Sequence, residues 1–164
     1  MSILFRTIVY ASLFIGFLLI YLPDRILVWT GLGRPAAMGA PQIIGIVLGA
    51  AGAVVALWCV TTFVRMGKGT PAPFDPPQML VVGGPYRYVR NPMYLGAGLA
   101  LAGAALFYLS IPLLAYGVVL LSCASLFVVF YEEPTLRRTF GADYEAYCHQ
   151  VRRWLPRLSV AHRP

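Results

Sequence analysis

A chain of 164 residues that is 59% hydrophobic and 12% charged is far more apolar than a soluble domain, which is about half apolar and a quarter charged. Its net charge of +7 sits in short segments between apolar runs, and no Lys/Arg stripe with interleaved aromatics lies on a soluble segment. This excludes nucleic acid as a partner and leaves charge that orients a membrane protein. Cys59, Cys123 and Cys148 lack any CxxC spacing, and His149 and His162 form no metal-binding pair, so neither a disulfide framework nor a metal site is expected.

Residues 3–22 form one apolar run broken only by Arg6, long enough to span a bilayer. The run is too long for a signal-peptide core and is read as retained. Pro23-Asp24-Arg25 is expected to end it, and residues 26–30 either extend the helix or lie on the interface with Trp29. A Gly/Pro/Ala connection leads to a second span over 42–64. There Gly45, Gly49, Gly52 and Ala53 form a stripe of small residues, read as a helix-packing face.

Residues 65–91 leave the membrane. Pro71, Pro73, Pro76 and Pro77 forbid a helix, and Met79–Val82 reads as a short extended piece. Gly67-Lys68-Gly69-Thr70 lacks the upstream glycine of a phosphate loop and is rejected as one. Two further spans, 92–109 and 111–131, are parted so tightly at Ser110-Ile111-Pro112 that they must form an antiparallel hairpin. Beyond them Pro134 is expected to start a short helix that Gly141 ends. Asp143 then caps a second helix, with Tyr144, Tyr147, Val151 and Trp154 on its apolar face and Pro156 as its stop.

The fold class is therefore an all-α integral membrane protein, a single domain over 1–164. Four transmembrane helices carry a loop at 65–91 and a helical tail at 132–164. With the N-terminus inside, the inner segments hold eleven Lys/Arg residues against Arg25 and Arg34 outside. Loop, tail and both termini thus share the cytoplasmic face, where the two polar segments can meet.

The stretch from Gly83 to Gly96 concentrates the chemistry. Asn91-Pro92 is a strong helix start, with Asn as the N-cap and Pro at the first helical position. Free N–H groups there attract an anion, and Arg87 and Arg90 deepen such a site. Glu132-Glu133 closes the last apolar run, where acids are costly unless solvated, paired or functional. One can face the bundle while the other pairs with an arginine such as Arg90 or Arg137; the carboxylates suit hydroxyls, an ammonium or a sulfonium. Gly98, within the third span, permits either close helix packing or the approach of a flat ligand.

Together, Gly84-Pro85-Tyr86-Arg87-x-Val89-Arg90-Asn91-Pro92-x-Tyr94-x-Gly96, Glu132-Glu133, Phe140-Gly141-x-x-Tyr144-x-x-Tyr147 and Val151-Arg152-Arg153-Trp154-x-Pro156 resemble the isoprenylcysteine carboxyl methyltransferase family and the related phospholipid N-methyltransferases. The resemblance spans residues 67–156. It implies an S-adenosylmethionine-dependent methyltransferase with its cofactor pocket on the cytoplasmic face, formed by loop and tail. The family has a histidine where this chain has Asn91, so capping and hydrogen bonding carry over but an imidazole's acid–base role does not.

Arg90, Asn91 and Glu133 are the implied catalytic group. The implied cofactor set adds Pro85, Tyr86, Arg87, Val89, Pro92, Tyr94, Gly98, Glu132, Tyr144 and Tyr147. In it Arg87, Arg90 and the start at Asn91 hold a carboxylate, a glutamate binds ribose hydroxyls or the amino group, and the tyrosines wall the adenine. The expected partner is a lipophilic small molecule or a membrane lipid, either a prenylcysteine-type carboxylate or a lipid head group. The competing readings are an NADPH-dependent membrane reductase and a non-catalytic docking protein. Oligomeric state is not legible: the glycine stripe allows a dimer without requiring one.

Overall fold

A computed structural model describes residues 16–66 and 79–156. Most of the first expected span, the proline-rich part of the loop and the last eight residues of the tail lie outside them. Every regular element among the described residues is helical. In chain order these are α1 (Leu22–Trp29) after a π-turn (Gly16–Tyr21), α2 (Ala40–Met66), a 3-10 turn (Gly84–Arg87), α3 (Pro92–Tyr108), α4 (Ile111–Phe127), a second π-turn (Val128–Glu132) and α5 (Glu133–Gln150). Residues 79–82 form no strand.

Two stretches are long and apolar enough to cross a membrane, α2 and the continuous helix that begins at Ile111. This departs from the four-span expectation: α3 has 17 residues, about 26 Å of helix against a hydrocarbon core of about 30 Å, and the first run is largely outside the described residues. Pro23 does not stop its helix either. It falls in the first turn of α1, where a missing N–H is tolerated, and the wide turn before it makes room for the ring.

The small-residue stripe is used inside the chain. Gly45 and Gly52 on α2 face Gly103 and Gly96 on α3, so the two helices run antiparallel with their backbones in contact. A Cβ on Gly52 would stand 2.5 Å from the Gly96 carbonyl oxygen, and one on Gly103 would stand 2.5 Å from that of Gly45. Only glycine permits this approach, which maximises dispersion contact where lipid offers no hydrophobic drive.

On its other side α3 packs against α4 as the expected hairpin. Leu121 lies where a Cβ on Gly98 would go, Leu101 lies over Gly117, and Ala105 and Leu113 join Leu27 of α1 in one core cluster. The turn is capped at both ends. Ser110 Oγ accepts from the Leu113 N–H (3.3 Å), and the Ser110 N–H donates to the Ala105 carbonyl (2.9 Å). Between them Leu109 is held in the left-handed region at φ 50°, a position that glycine normally fills, while its side chain is largely exposed. Leu109→Gly is therefore expected to stabilise the protein by about 1 kcal/mol, read as a higher unfolding midpoint in detergent. A lower midpoint would contradict this account of the turn.

The expected break between span and tail is absent. The helix runs on from Ile111 through the π-turn as far as Phe140, and Pro134 lies in the first turn of α5, the helix start expected of it. The π-turn just upstream shifts the hydrogen-bond register, so the proline ring meets no committed carbonyl there. Gly141 does interrupt the helix as expected, at φ 51° and ψ −122°, a conformation open to glycine alone. The helix also stops earlier than the Tyr/Trp pattern indicates. Val151 is extended (φ −118°, ψ 128°) because the chain there pairs with the loop.

Candidate functional site

The loop and the tail meet through a short clasp. Gly84 enters it at φ 55°, with no room for a Cβ against Thr62 and with the Trp58 indole nitrogen close by, which seats the 3-10 turn directly on α2. Pro85 is buried, and Tyr86 packs with Cys59 and Val81, its ring edge-on to Phe63 at 5.8 Å. The Tyr147 hydroxyl donates to the Tyr86 carbonyl (2.6 Å). Val89 then forms a parallel bridge with Arg152, and the Arg90 N–H donates to the Arg152 carbonyl (2.9 Å). Tyr144, Tyr147 and Val151 form a buried cluster lined by Leu80, Leu136, Phe140 and Cys148.

Asn91 occupies the N-cap position of α3 with Pro92 at the helix start, yet its side chain makes no capping bond. Its amide donates instead to the Arg153 carbonyl (3.3 Å). The tail thus draws the expected cap away, and the first N–H groups of α3 are left without a side-chain acceptor from Asn91.

The two glutamates have separate surroundings. Glu133 is 3% exposed and surrounded by arginines. Arg153 grips it with both arms of its fork (Nε to Oε1 2.7 Å, Nη2 to Oε2 2.9 Å), Arg90 Nη2 lies 3.4 Å from Oε1, and Arg137 Nη1 lies 3.8 Å from Oε2. Burial alone would raise its pKa, but the Arg153 hydrogen bonds and the charges of Arg90, Arg153 and Arg137 outweigh it and hold the carboxyl below its ordinary value.

Glu132 is half-buried and accepts one bond, from the Tyr94 hydroxyl to Oε2 (3.2 Å). Desolvation pushes its carboxyl above the ordinary value, and the neighbouring Glu133 charge adds to this against the Tyr94 hydrogen bond. Among the described residues no cation forms an ion pair with it. Trp154 sits edge-on to the Tyr94 ring at 6.4 Å. Arg90 touches the Cys148 sulfur through Nη1, while its buried Nε has no hydrogen-bond partner among the described residues.

The structure therefore gathers Pro85, Tyr86, Val89, Arg90, Asn91, Pro92, Tyr94, Glu132, Glu133, Tyr144 and Tyr147 at one end of the helix bundle. Tyr86, Tyr144 and Tyr147 are buried core groups there. Two other expected residues stand apart. Arg87 is exposed, with its guanidinium 5.9 Å from the Tyr88 ring centroid, and Gly98 belongs to the α3–α4 packing against Leu121. Arg153 and Trp154, not expected as site residues, lie among the gathered groups; the Val151-Arg152-Arg153-Trp154 run was the signal that held them. The arrangement offers hydrogen-bond acceptors for hydroxyls or a cation at Glu132. For an anion it offers guanidinium and helix N–H donors at Arg90 and the start of α3.

No curated protein and no solved structure matches the chain. The family profile of the phospholipid methyltransferases matches residues 41–143, from the start of α2 to just past the Gly141 kink. That is well over half of the sequence, and it takes in both the loop of Arg90 and Asn91 and the glutamate pair. These matched elements are apolar helices together with the loop between them, and the chain belongs to the phospholipid methyltransferase family.

Proposed function

We propose that this protein transfers a methyl group from S-adenosylmethionine to a lipophilic acceptor, a prenylcysteine-type carboxylate or a lipid head group, at the cytoplasmic membrane face. The observation that carries the proposal is the Glu132–Tyr94 pair standing beside the Arg90–Glu133 cluster within the matched family region. In this reading the chain has four spans with both termini cytoplasmic, supported by the eleven-to-two charge bias. The short α3 crosses by local thinning of the bilayer.

The residues present suit the donor. When bound, S-adenosylmethionine supplies a methyl group already activated on a sulfonium sulfur. Displacement at that carbon calls for alignment more than for proton transfer, so an asparagine at position 91 is no obstacle. Glu132 has one carboxylate oxygen beyond its bond to Tyr94, suited to ribose hydroxyls or an ammonium group. Arg90 has a buried, unpartnered Nε, and the uncapped start of α3 lies beside it, which suits a carboxylate. Glu133 has both oxygens engaged by Arg153, so its part is to fix Arg90 and not to hold ligand. An acceptor with an aliphatic tail is concentrated by the bilayer and approaches between the helices.

Calorimetry of the detergent-solubilised protein with S-adenosylhomocysteine tests this reading. Binding is expected, with Glu132→Gln weakening it by about tenfold, the worth of one charge-assisted hydrogen bond. No binding in several detergents, or binding of NADPH in its place, would overturn it. Radiolabelled methyl transfer into a lipid extract then identifies the acceptor class.

A further inference from the structure

The family match ends at residue 143, yet the site described above depends on residues beyond it. Three consecutive tail residues touch its parts in order. The Arg152 carbonyl accepts the Arg90 N–H (2.9 Å). Arg153 accepts the Asn91 side-chain amide on its carbonyl (3.3 Å) and clamps Glu133 with its guanidinium (2.7 and 2.9 Å). Trp154 braces the Tyr94 ring, whose hydroxyl holds Glu132.

Arg153 is the centre of this segment because it alone acts through both backbone and side chain. Its fork takes up both oxygens of a buried carboxylate, a geometry that lysine cannot reproduce. Glu133 in turn lies 3.4 Å from Arg90 Nη2, so the direction of the Arg90 guanidinium depends on where Arg153 holds Glu133. Removing Arg153 leaves Asn91 its carbonyl partner but releases Glu133 toward Arg137, the nearest remaining cation on its own helix.

We infer that Arg153 is a positioning residue for the methyl-donor site, aligning Arg90 through Glu133 without touching donor or acceptor. This rests on the donor reading given above, and it makes the tail segment Arg152–Trp154 an integral part of the site. The expected signature is weaker donor binding at little cost to the chemical step. Turnover at saturating donor holds near the wild-type value, while KM for the donor rises.

The test uses the full chain in detergent, with S-adenosylhomocysteine as the calorimetric probe and methyl transfer into a lipid extract as the kinetic one. Arg153→Ala should raise Kd by at least about tenfold, and Arg153→Lys, which keeps the charge but loses the fork, should recover only part of that. In a folded Glu133→Gln background, adding Arg153→Lys should change Kd no further, because the effect passes through Glu133. Wild-type Kd in either single variant would overturn the inference. So would losses that multiply in the double variant, which would mean that Arg153 acts independently. Failure of the wild-type protein itself to bind would overturn the donor reading and this inference together, whereas a wild-type-like Arg153→Ala removes this inference alone.

Discussion

Glu133→Gln is expected to destabilise the protein by about 3–5 kcal/mol, the cost of breaking a buried ion pair from one side. Glutamine keeps the shape and some hydrogen bonds but removes the charge that three arginines share. Arg90 suffers most. Its side chain is 12% exposed, its Nε is already unpartnered among the described residues, and without Glu133 it becomes an uncompensated buried cation. Arg137, on the surface, turns to Glu145, which already lies 2.7 Å from its Nε.

The same carboxylate sets an acid limit. Its pKa is depressed in the folded protein below the ordinary 4.5, so its stabilising contribution is complete above that value and is lost as pH falls through the folded pKa. The difference in unfolding midpoint between wild type and Glu133→Gln should therefore shrink as pH falls below about 4.5. An unchanged midpoint at neutral pH in the variant would show that the arginine cluster is surface decoration.

Gly52→Val is expected to cost about 3 kcal/mol, at the upper end of the overpacking range. The obstructing atoms are the Gly96 carbonyl oxygen and the Ala100 nitrogen, 2.5 and 2.7 Å from the added Cβ. Both are backbone, so no rotamer change relieves the contact and the two helices must separate. Separation strips contacts at Gly45 and Gly103 as well, and it lifts the 3-10 turn of the loop off α2. Gly49→Ala is the control, since nothing lies within 4 Å of its added Cβ, and it should be neutral or mildly stabilising. Equal unfolding midpoints for Gly52→Val and Gly49→Ala in detergent would refute the backbone-contact picture.

The apolar runs, the hairpin at Ser110 and the bend at Gly141 were legible because each depends on local chemistry: hydrophobic length, a short polar turn, a glycine. That loop and tail come together was legible from charge, since a positive-inside count assigns both to one face and leaves the glutamates near the arginines. What escaped was set by contacts distant in sequence. Asn91 does not cap its helix because Arg153 offers its carbonyl from across the clasp. Val151 leaves the helix because Arg152 pairs with Val89, which no periodicity within the tail encodes. Pro134 opens the tail helix as expected, but that helix follows the last apolar span without a gap, through a π-turn that has no sequence signature in this chain. Gly98 satisfied two readings equally in sequence, and the position of Leu121 gives it a packing role.

The unbroken helix that starts at Ile111 joins the lipid to the carboxylates mechanically. Roughly 32 Å of helix separates Ile111 from Glu132. A tilt of about 5° about its far end moves Glu132 by about 3 Å, the length of a hydrogen bond. Tyr94 rides on α3, which is packed backbone to backbone on α2 through its glycines and side chain to side chain on α4. A stretch longer than the local hydrocarbon thickness accommodates in part by tilting, within what packing against neighbouring helices allows. The Tyr94–Glu132 bond thus joins the two helices near their ends, and a relative tilt of that size would break it.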